Sequence, residues 1–324
     1  MSYLESLNWS QNFTYFERNG GRDHLVVASD FAIHYPNLMS KRFKKMIANF
    51  SFGHFEFLPN IKFNGVVNGN RFNFEGGNNF VEYSETPPWR CTVVVPYVDK
   101  IDRSIKNINF EEWKSRNIDF FFIGQVDSRK SYKLRLDVNE MFTSNETLRK
   151  NANFIFAASK SPKVKSGFAH IHMESIPECD NNCFQNLNPK CSSCFSEHVN
   201  YTHLLQKSKF CLVLPGDTVS SSRLYDAISS NCIPVVLTDS LMEFGLPFVW
   251  KVSYKDFVVF LPQNKEFVVD NLLKIVAKVG QMGERFERMQ FYRDDVSWSS
   301  ESSRVVENIL TETGGRCVDN FENG

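Results

Sequence analysis

Much that would give this chain an obvious function is missing from it. Lys plus Arg and Asp plus Glu both number 37, so there is no whole-molecule field to gather nucleic acid or an anionic membrane. Any anion site must be local. No run approaches the ~18 apolar residues that span a bilayer, and Met1-Ser-Tyr-Leu-Glu-Ser-Leu-Asn-Trp9 lacks the basic-then-apolar order of a secretory leader. Only 16 glycines and 12 prolines occur in 324 residues, with no repeat or low-complexity stretch, which excludes fibrous and disordered classes. Gly-x-Gly-x-x-Gly and the phosphate-binding loop are also absent, which argues against an unrelated nucleotide-binding enzyme of either type.

What is present describes a packed α/β protein. There are 31 phenylalanines, and the length suits about two domains framing a cleft. Short apolar runs, Leu25 to Ala28, His54 to Leu58 and Cys91 to Val95, alternate with Asn- and Gly-rich loops and read as buried strands. They define a partial N-terminal α/β domain over residues 1–117, with a long loop from Gly65 to Pro88. From residue 118 the pattern is strand and helix in alternation. Strands are expected at Phe120 to Ile123, Phe154 to Ala157, Phe210 to Leu214 and Ile233 to Leu237, with helices at Ser131 to Phe142, Tyr201 to Ser208 and Ser221 to Ser229. That spacing implies a parallel sheet covered on both faces, over residues 118–290. Leu272 to Gln290 reads as one long helix, and residues 291–324 as a polar C-terminal tail.

Eight cysteines are present, and Cys179, Cys183, Cys191 and Cys194 crowd into one polar segment. Their spacing admits either a four-thiolate zinc site or two disulfides. Cys211 and Cys232 fall at strand ends and read as buried apolar residues. Sequons occur at Asn8, Asn12, Asn49, Asn145 and Asn200, about as many as chance supplies in so Asn-, Ser- and Thr-rich a chain.

The stretch that carries chemistry runs from Ser208 to Asp239. A buried strand ends at Pro215-Gly216, small polar residues follow, and Ser220 or Ser221 can cap a helix reaching Ser229. Ligands of open α/β sheets bind at the carboxyl ends of strands, where helix N-termini present N–H groups and partial positive charge. Arg223 falls in the first turn of that helix, where the macrodipole disfavours a cation unless an anion answers it. A diphosphate would do so. Asp226, three residues on, would orient the guanidinium or accept from ribose hydroxyls; the alternative is an exposed helix ion pair of little energy.

These residues resemble the signature of the exostosin-family glycosyltransferases (glycosyltransferase family 47). The elements are Ser208-Lys-Phe-Cys-Leu212, Pro215-Gly216, Ser221-Ser222-Arg223, Asp226 and Cys232-Ile-Pro-Val-Val236 with Asp239. The likeness extends through Leu246-Pro-Phe248 and Tyr254-Lys-Asp-Phe257 to Met289-Gln290, and back through Phe121-Phe-Ile-Gly124. Earlier in the chain, Arg18-Asn-Gly-Gly-Arg-Asp-His24 and Val93-Val-Val-Pro96 resemble family elements. The resemblance implies a GT-B-like enzyme with two Rossmann-like domains facing a cleft, the N-terminal one apparently truncated here. Its activity would be inverting transfer of a sugar from a nucleotide-sugar donor, UDP-linked by resemblance, to a glycan or glycoprotein acceptor. No metal or other cofactor is implied.

On that resemblance Gly124, Pro215, Gly216, Ser221, Ser222, Arg223, Asp226 and Asp239 form the donor site. Arg223 and a helix N-terminus would offset charge on the departing diphosphate. A base from the first domain would take the acceptor proton. Asp23 and His24 precede the first strand and match the family element, whereas Asp30 and His34 follow it, where sites form. Anchoring a turn is the structural alternative for either pair. The family also implies a Golgi or endoplasmic reticulum lumen, hence disulfides among Cys179, Cys183, Cys191 and Cys194, and a homo- or heterodimer with a second glycosyltransferase. Three features depart from its pattern. Only 17 residues precede Arg18, where a membrane anchor and opening strands are expected; Tyr254 stands where Trp is frequent; and an expected Glu is replaced near Pro262-Gln263. A catalytically silent homologue that binds nucleotide sugar or supports a partner enzyme is the competing expectation.

Overall fold

A computed structural model describes residues 24–27, 49–55, 66–67, 70–71, 91–101, 107–126, 133–160, 169–171, 201–215, 220–237, 241, 245–262 and 265–318. Strands β1 (Leu25–Val27), β2 (Ser51–His54) and β5 (Cys91–Val94) form a parallel three-stranded sheet in the order β1-β2-β5, while β3 (Val66–Val67) and β4 (Asn70–Arg71) make a separate antiparallel pair. The second strand is Ser51-Phe-Gly-His54, which meets the expected His54-to-Leu58 run at His54; residues 56–58 of that run lie outside the described residues. Ladder bonding to β1 and β5 selects a segment whose Gly53 breaks the apolar pattern that suggested the later residues. An added Cβ at Gly53 would meet Val95 Cγ1 at 2.9 Å and Val27 Cγ2 at 3.1 Å, so the sheet packs too closely there for any side chain.

Helix α1 (Phe110–Lys114) precedes the second sheet behind a capping box, with the Asn109 side chain accepting from the Glu112 amide and the Glu112 carboxylate from the Asn109 amide. There follow β6 (Ile118–Val126), α2 (Lys133–Ser144), α3 (Glu146–Asn151), β7 (Phe154–Lys160), β8 (Ala169–Ile171), α4 (Tyr201–Gln206), β9 (Ser208–Val213), α5 (Ser222–Ser229), β10 (Ile233–Val236), α6 (Tyr254–Phe257) and β11 (Val259–Phe260). The sheet order is β11-β10-β9-β6-β7-β8, parallel throughout except for β8. The architecture is α/β with parallel sheets, as the strand and helix alternation implied. Phe120, Phe122, Phe142, Phe156 and Phe210 are almost wholly buried around it, each contributing roughly 1.5–3 kcal/mol by removal from water.

The C-terminal residues differ from expectation. The expected single helix is two, α7 (Lys265–Ala277) and α8 (Gly283–Val296), broken by a 3-10 turn at Val279–Gln281. Residues read as a polar tail form the end of α8, then α9 (Val305–Thr313), which packs on β5, and a π-helical turn at Gly314–Val318. Asp295, Ser297 and Asn308 are polar yet buried, and their polar groups are paired. Asp295, 1–2% exposed, receives Arg304 Nε and Nη2 at 2.8 Å each, Lys251 Nζ at 2.8 Å and Asn308 Nδ2 at 3.1 Å. A disulfide between Cys91 and Cys317 ties this segment to the first sheet. Cys211 and Cys232 are buried, as read, but bonded to each other: pairing of β9 with β10 brings their Cα atoms within 5.8 Å, inside the range a disulfide spans.

Candidate functional site

Strand order fixes where a ligand can sit. The chain leaves β6 through α2 toward β7 on one side, and leaves β9 through α5 toward β10 on the other, although β6 and β9 are neighbours. The connections diverge at this pair, so a crevice opens at its carboxyl ends. Two arginines bridge the crevice reciprocally. Arg223, in the first turn of the helix after β9, donates from Nε to the Ile123 carbonyl of β6 at 2.6 Å. Arg135, in the first turn of the helix after β6, donates from Nε to the Pro215 carbonyl beyond β9 at 2.9 Å.

Both guanidinium carbons lie over the Phe122 ring, at 5.2 Å for Arg223 and 5.6 Å for Arg135. The ring face attracts each cation, but the cations repel one another and each stands at the positive end of a helix. An anion between them relieves both penalties. Gly124 makes room for the arrangement, since a Cβ there would meet Arg223 Nη2 at 2.5 Å and Phe122 Cζ at 2.8 Å. Ser221 caps α5 with extended backbone, its side chain accepting from the Arg223 amide at 3.4 Å.

Asp226 is turned away from its i+3 neighbour. Its Oδ1 accepts from the Lys100 amide at 2.8 Å and its Oδ2 from the Tyr201 hydroxyl at 2.9 Å. Burial raises the Asp226 carboxyl above its ordinary value, against the lowering influence of those two hydrogen bonds. Burial likewise raises the Tyr201 phenol, with the Asp226 charge adding to it. On the opposite wall, Tyr97 shares a 3.3 Å hydrogen bond with Ser220 and stacks on Phe55, ring centroids 4.2 Å apart.

Gly124, Pro215, Ser221, Ser222 and Arg223 are thus gathered around one crevice end, whereas Asp226, one turn further along α5, faces Lys100 and Tyr201. Gly216, Asp239, Asp23, Asp30, His34, Cys179, Cys183, Cys191 and Cys194 lie outside the described residues. His24 stands at the amino end of β1, stacked on Phe50 with centroids 5.1 Å apart, its carbonyl accepting from the Ser51 amide. That is the end of the sheet remote from the crevice. At the carboxyl end stands His54, buried and against Phe55 at 3.8 Å, a residue the sequence reading passed over as part of a strand.

Arg135 and Tyr201 were also passed over. The signal for Arg135 was legible: it occupies the first turn of an expected helix, as Arg223 does, and the same macrodipole argument applies. Tyr201 had none, because its partner lies in another element. Among the described residues no group of three or more His, Cys, Asp or Glu is arranged to hold a metal ion.

Known proteins share parts of this pattern. The profile described as the Exostosin GT47 domain matches residues 2–278. A probable arabinosyltransferase of Arabidopsis thaliana, ARAD1, is 40% identical over 78 residues, 23% of this chain and 17% of that protein. Exostosin-2 of Bos taurus is 27% identical over 105 residues, 32% of this chain and 13% of that protein. The matched segments thus span less than a fifth of these relatives. Among solved structures, WaaG, a glycosyltransferase involved in lipopolysaccharide biosynthesis, superposes with TM-score 0.43 and 13% identity, covering 93% of this chain and 80% of that one. With the profile covering most of its length, the chain belongs to the Exostosin GT47 family.

Proposed function

We propose that this protein is an inverting glycosyltransferase whose second sheet binds a UDP-sugar and whose first sheet presents a glycan or glycoprotein acceptor. The observation that carries the reading is the pair of helix-start arginines crossing the β6–β9 crevice over one aromatic ring. A diphosphate there accepts from both guanidiniums and from the amides at the start of α5. Charge that develops on it as the sugar departs is met by groups already in place, which is the main electrostatic route to rate enhancement. The acceptor proton leaves to a base on the first sheet, and His54 is the described histidine at the correct end of that sheet. Family membership supports the reaction class. Residues 1–117 are the acceptor-side unit and 118–290 the donor-side unit in this reading.

Disulfides at Cys91–Cys317 and Cys211–Cys232 support an oxidising lumen, as in the Golgi or endoplasmic reticulum. Among the described residues no helix is long and apolar enough to cross a membrane.

Thermal stabilisation by UDP tests the donor site. Wild-type protein is expected to gain stability with rising UDP, whereas Arg223→Ala and Arg135→Ala lose most of the gain. No shift with wild type at millimolar UDP would refute the site. Release of UDP from a panel of UDP-sugars, with and without acceptor oligosaccharides, then separates an active enzyme from a silent homologue.

A further inference from the structure

The path from the first sheet to the second is fastened along the donor helix. Beyond β5, residues 95–101 run beside α5 and are bonded to it at three levels. Near its start, Tyr97 and Ser220 share a hydrogen bond of 3.3 Å. At its middle, the Lys100 amide donates to Asp226 at 2.8 Å. At its end, the Ser229 hydroxyl donates to Asp99 Oδ2 at 3.0 Å. The same Asp99 oxygen accepts from the Ser297 hydroxyl at 2.8 Å, and Trp298 Nε1 donates to the Pro96 carbonyl at 2.9 Å, so the end of α8 closes over the strap. Asp226 and Asp99 are 2% and 6% exposed.

We propose that Asp226 is a positioning residue that couples anion binding at α5 to the placement of the first sheet, and is not a ligand of the nucleotide. The inference rests on the donor-site reading above. Both carboxylate oxygens of Asp226 are engaged and shielded from water. Turning either toward a ribose would strand the Lys100 N–H or the Tyr201 hydroxyl without a partner. Asp226 therefore holds the strap and α5 as one body. A ligand that draws on Arg223 acts on the first turn of α5, and through the strap on β5, the edge of the sheet that faces the acceptor. Transfer depends on angstrom-level placement of the two substrates, so this linkage acts on the chemical step.

The test combines UDP titration calorimetry with hydrogen exchange of the peptide covering residues 91–101. In wild type, UDP is expected to slow exchange in that peptide. In Asp226→Ala and Tyr201→Phe, UDP should bind within about threefold of wild type, which is under 1 kcal/mol, while the slowing disappears. A purely structural role would lower the melting temperature and leave the UDP-dependent slowing intact. Tyr201→Phe keeps its ring on Phe121 and serves if the alanine variant does not fold. UDP affinity weakened tenfold or more in either variant would make Asp226 a ligand after all and overturn the proposal. Slowing that persists in both variants, or is absent from wild type that binds UDP, would also overturn it. Failure of wild type to bind UDP removes the donor site itself, and this coupling with it.

Discussion

The two ends of helix α5 each meet an arginine, and the two are used in opposite ways. At the C-terminal end Arg116, 8% exposed, donates to the carbonyls of Ser208 at 2.6 Å, Asn231 at 2.8 Å and Ser230 at 3.1 Å, with Leu205 at 3.5 Å. Asn231 closes the helix with a left-handed backbone, φ 56°, and the cation faces the negative end of the dipole. Burial depresses its guanidinium to about 10, which still leaves it charged at neutral pH. At the N-terminal end Arg223 faces the positive pole, donating to the Ile123 carbonyl and lying over the Phe122 ring. Identical side chains at the two poles of one helix therefore separate into a cation that the fold satisfies and, in the proposed reading, a cation placed where an anion is favoured.

Breaking the first member should have the largest effect. Arg116→Ala is expected to lose about 3 kcal/mol or more, since it strands several buried carbonyls, and to lower the urea midpoint at constant slope. The folded fraction should bind UDP as wild type does. Arg223→Ala inverts the pattern. Its urea midpoint should stay within experimental scatter while UDP affinity falls roughly 10- to 100-fold, the loss of charge-assisted bonds worth about 1.5–3 kcal/mol.

Arg304 supplies a third case, a cation answered by a carboxylate. Burial alone would raise Asp295, but hydrogen bonds from Arg304, Lys251 and Asn308 outweigh it and hold the carboxyl at about 2, below its ordinary 3.8. The depressed value means this stabilisation is fully present above pH 3.8 and is lost as pH falls through 2. Arg304 is partly exposed, so on the order of 1–2 kcal/mol is expected. Asp295→Asn should flatten the stability profile between pH 5 and 2, read by chemical denaturation. The smallest effect belongs to Gly124→Ala. Its methyl group displaces the Arg223 fork, so UDP affinity should weaken several-fold, below about 1.4 kcal/mol, with the melting temperature nearly unchanged.

The same contrast shows what the sequence could disclose. Arg223 was legible because its neighbours in the chain, a strand end, a serine cap and a helix, define its surroundings locally. The strands of the second sheet were legible for the same reason, as compact apolar runs between polar turns. Arg116 carried no such signal, because its partners lie about 90 to 115 residues away and are backbone atoms with no residue identity. Helix α9 was read as tail because Asn308 and Glu312, polar in sequence, are buried in the fold. The reciprocal crossing of Arg135 and Arg223 needed the strand order, which no local pattern contains. Ser51 to Gly53 was not read as a strand because pairing with β1 and β5, which no local pattern contains, is what extends it.

The bond between Cys91 and Cys317, 226 residues apart, makes a closed ring of almost everything that lies between them, the second sheet included. A single cut by a protease anywhere within that ring releases nothing: both fragments stay attached, and the crevice keeps its two walls. Such a molecule would run as one band until reduced, and thiol would set free its pieces.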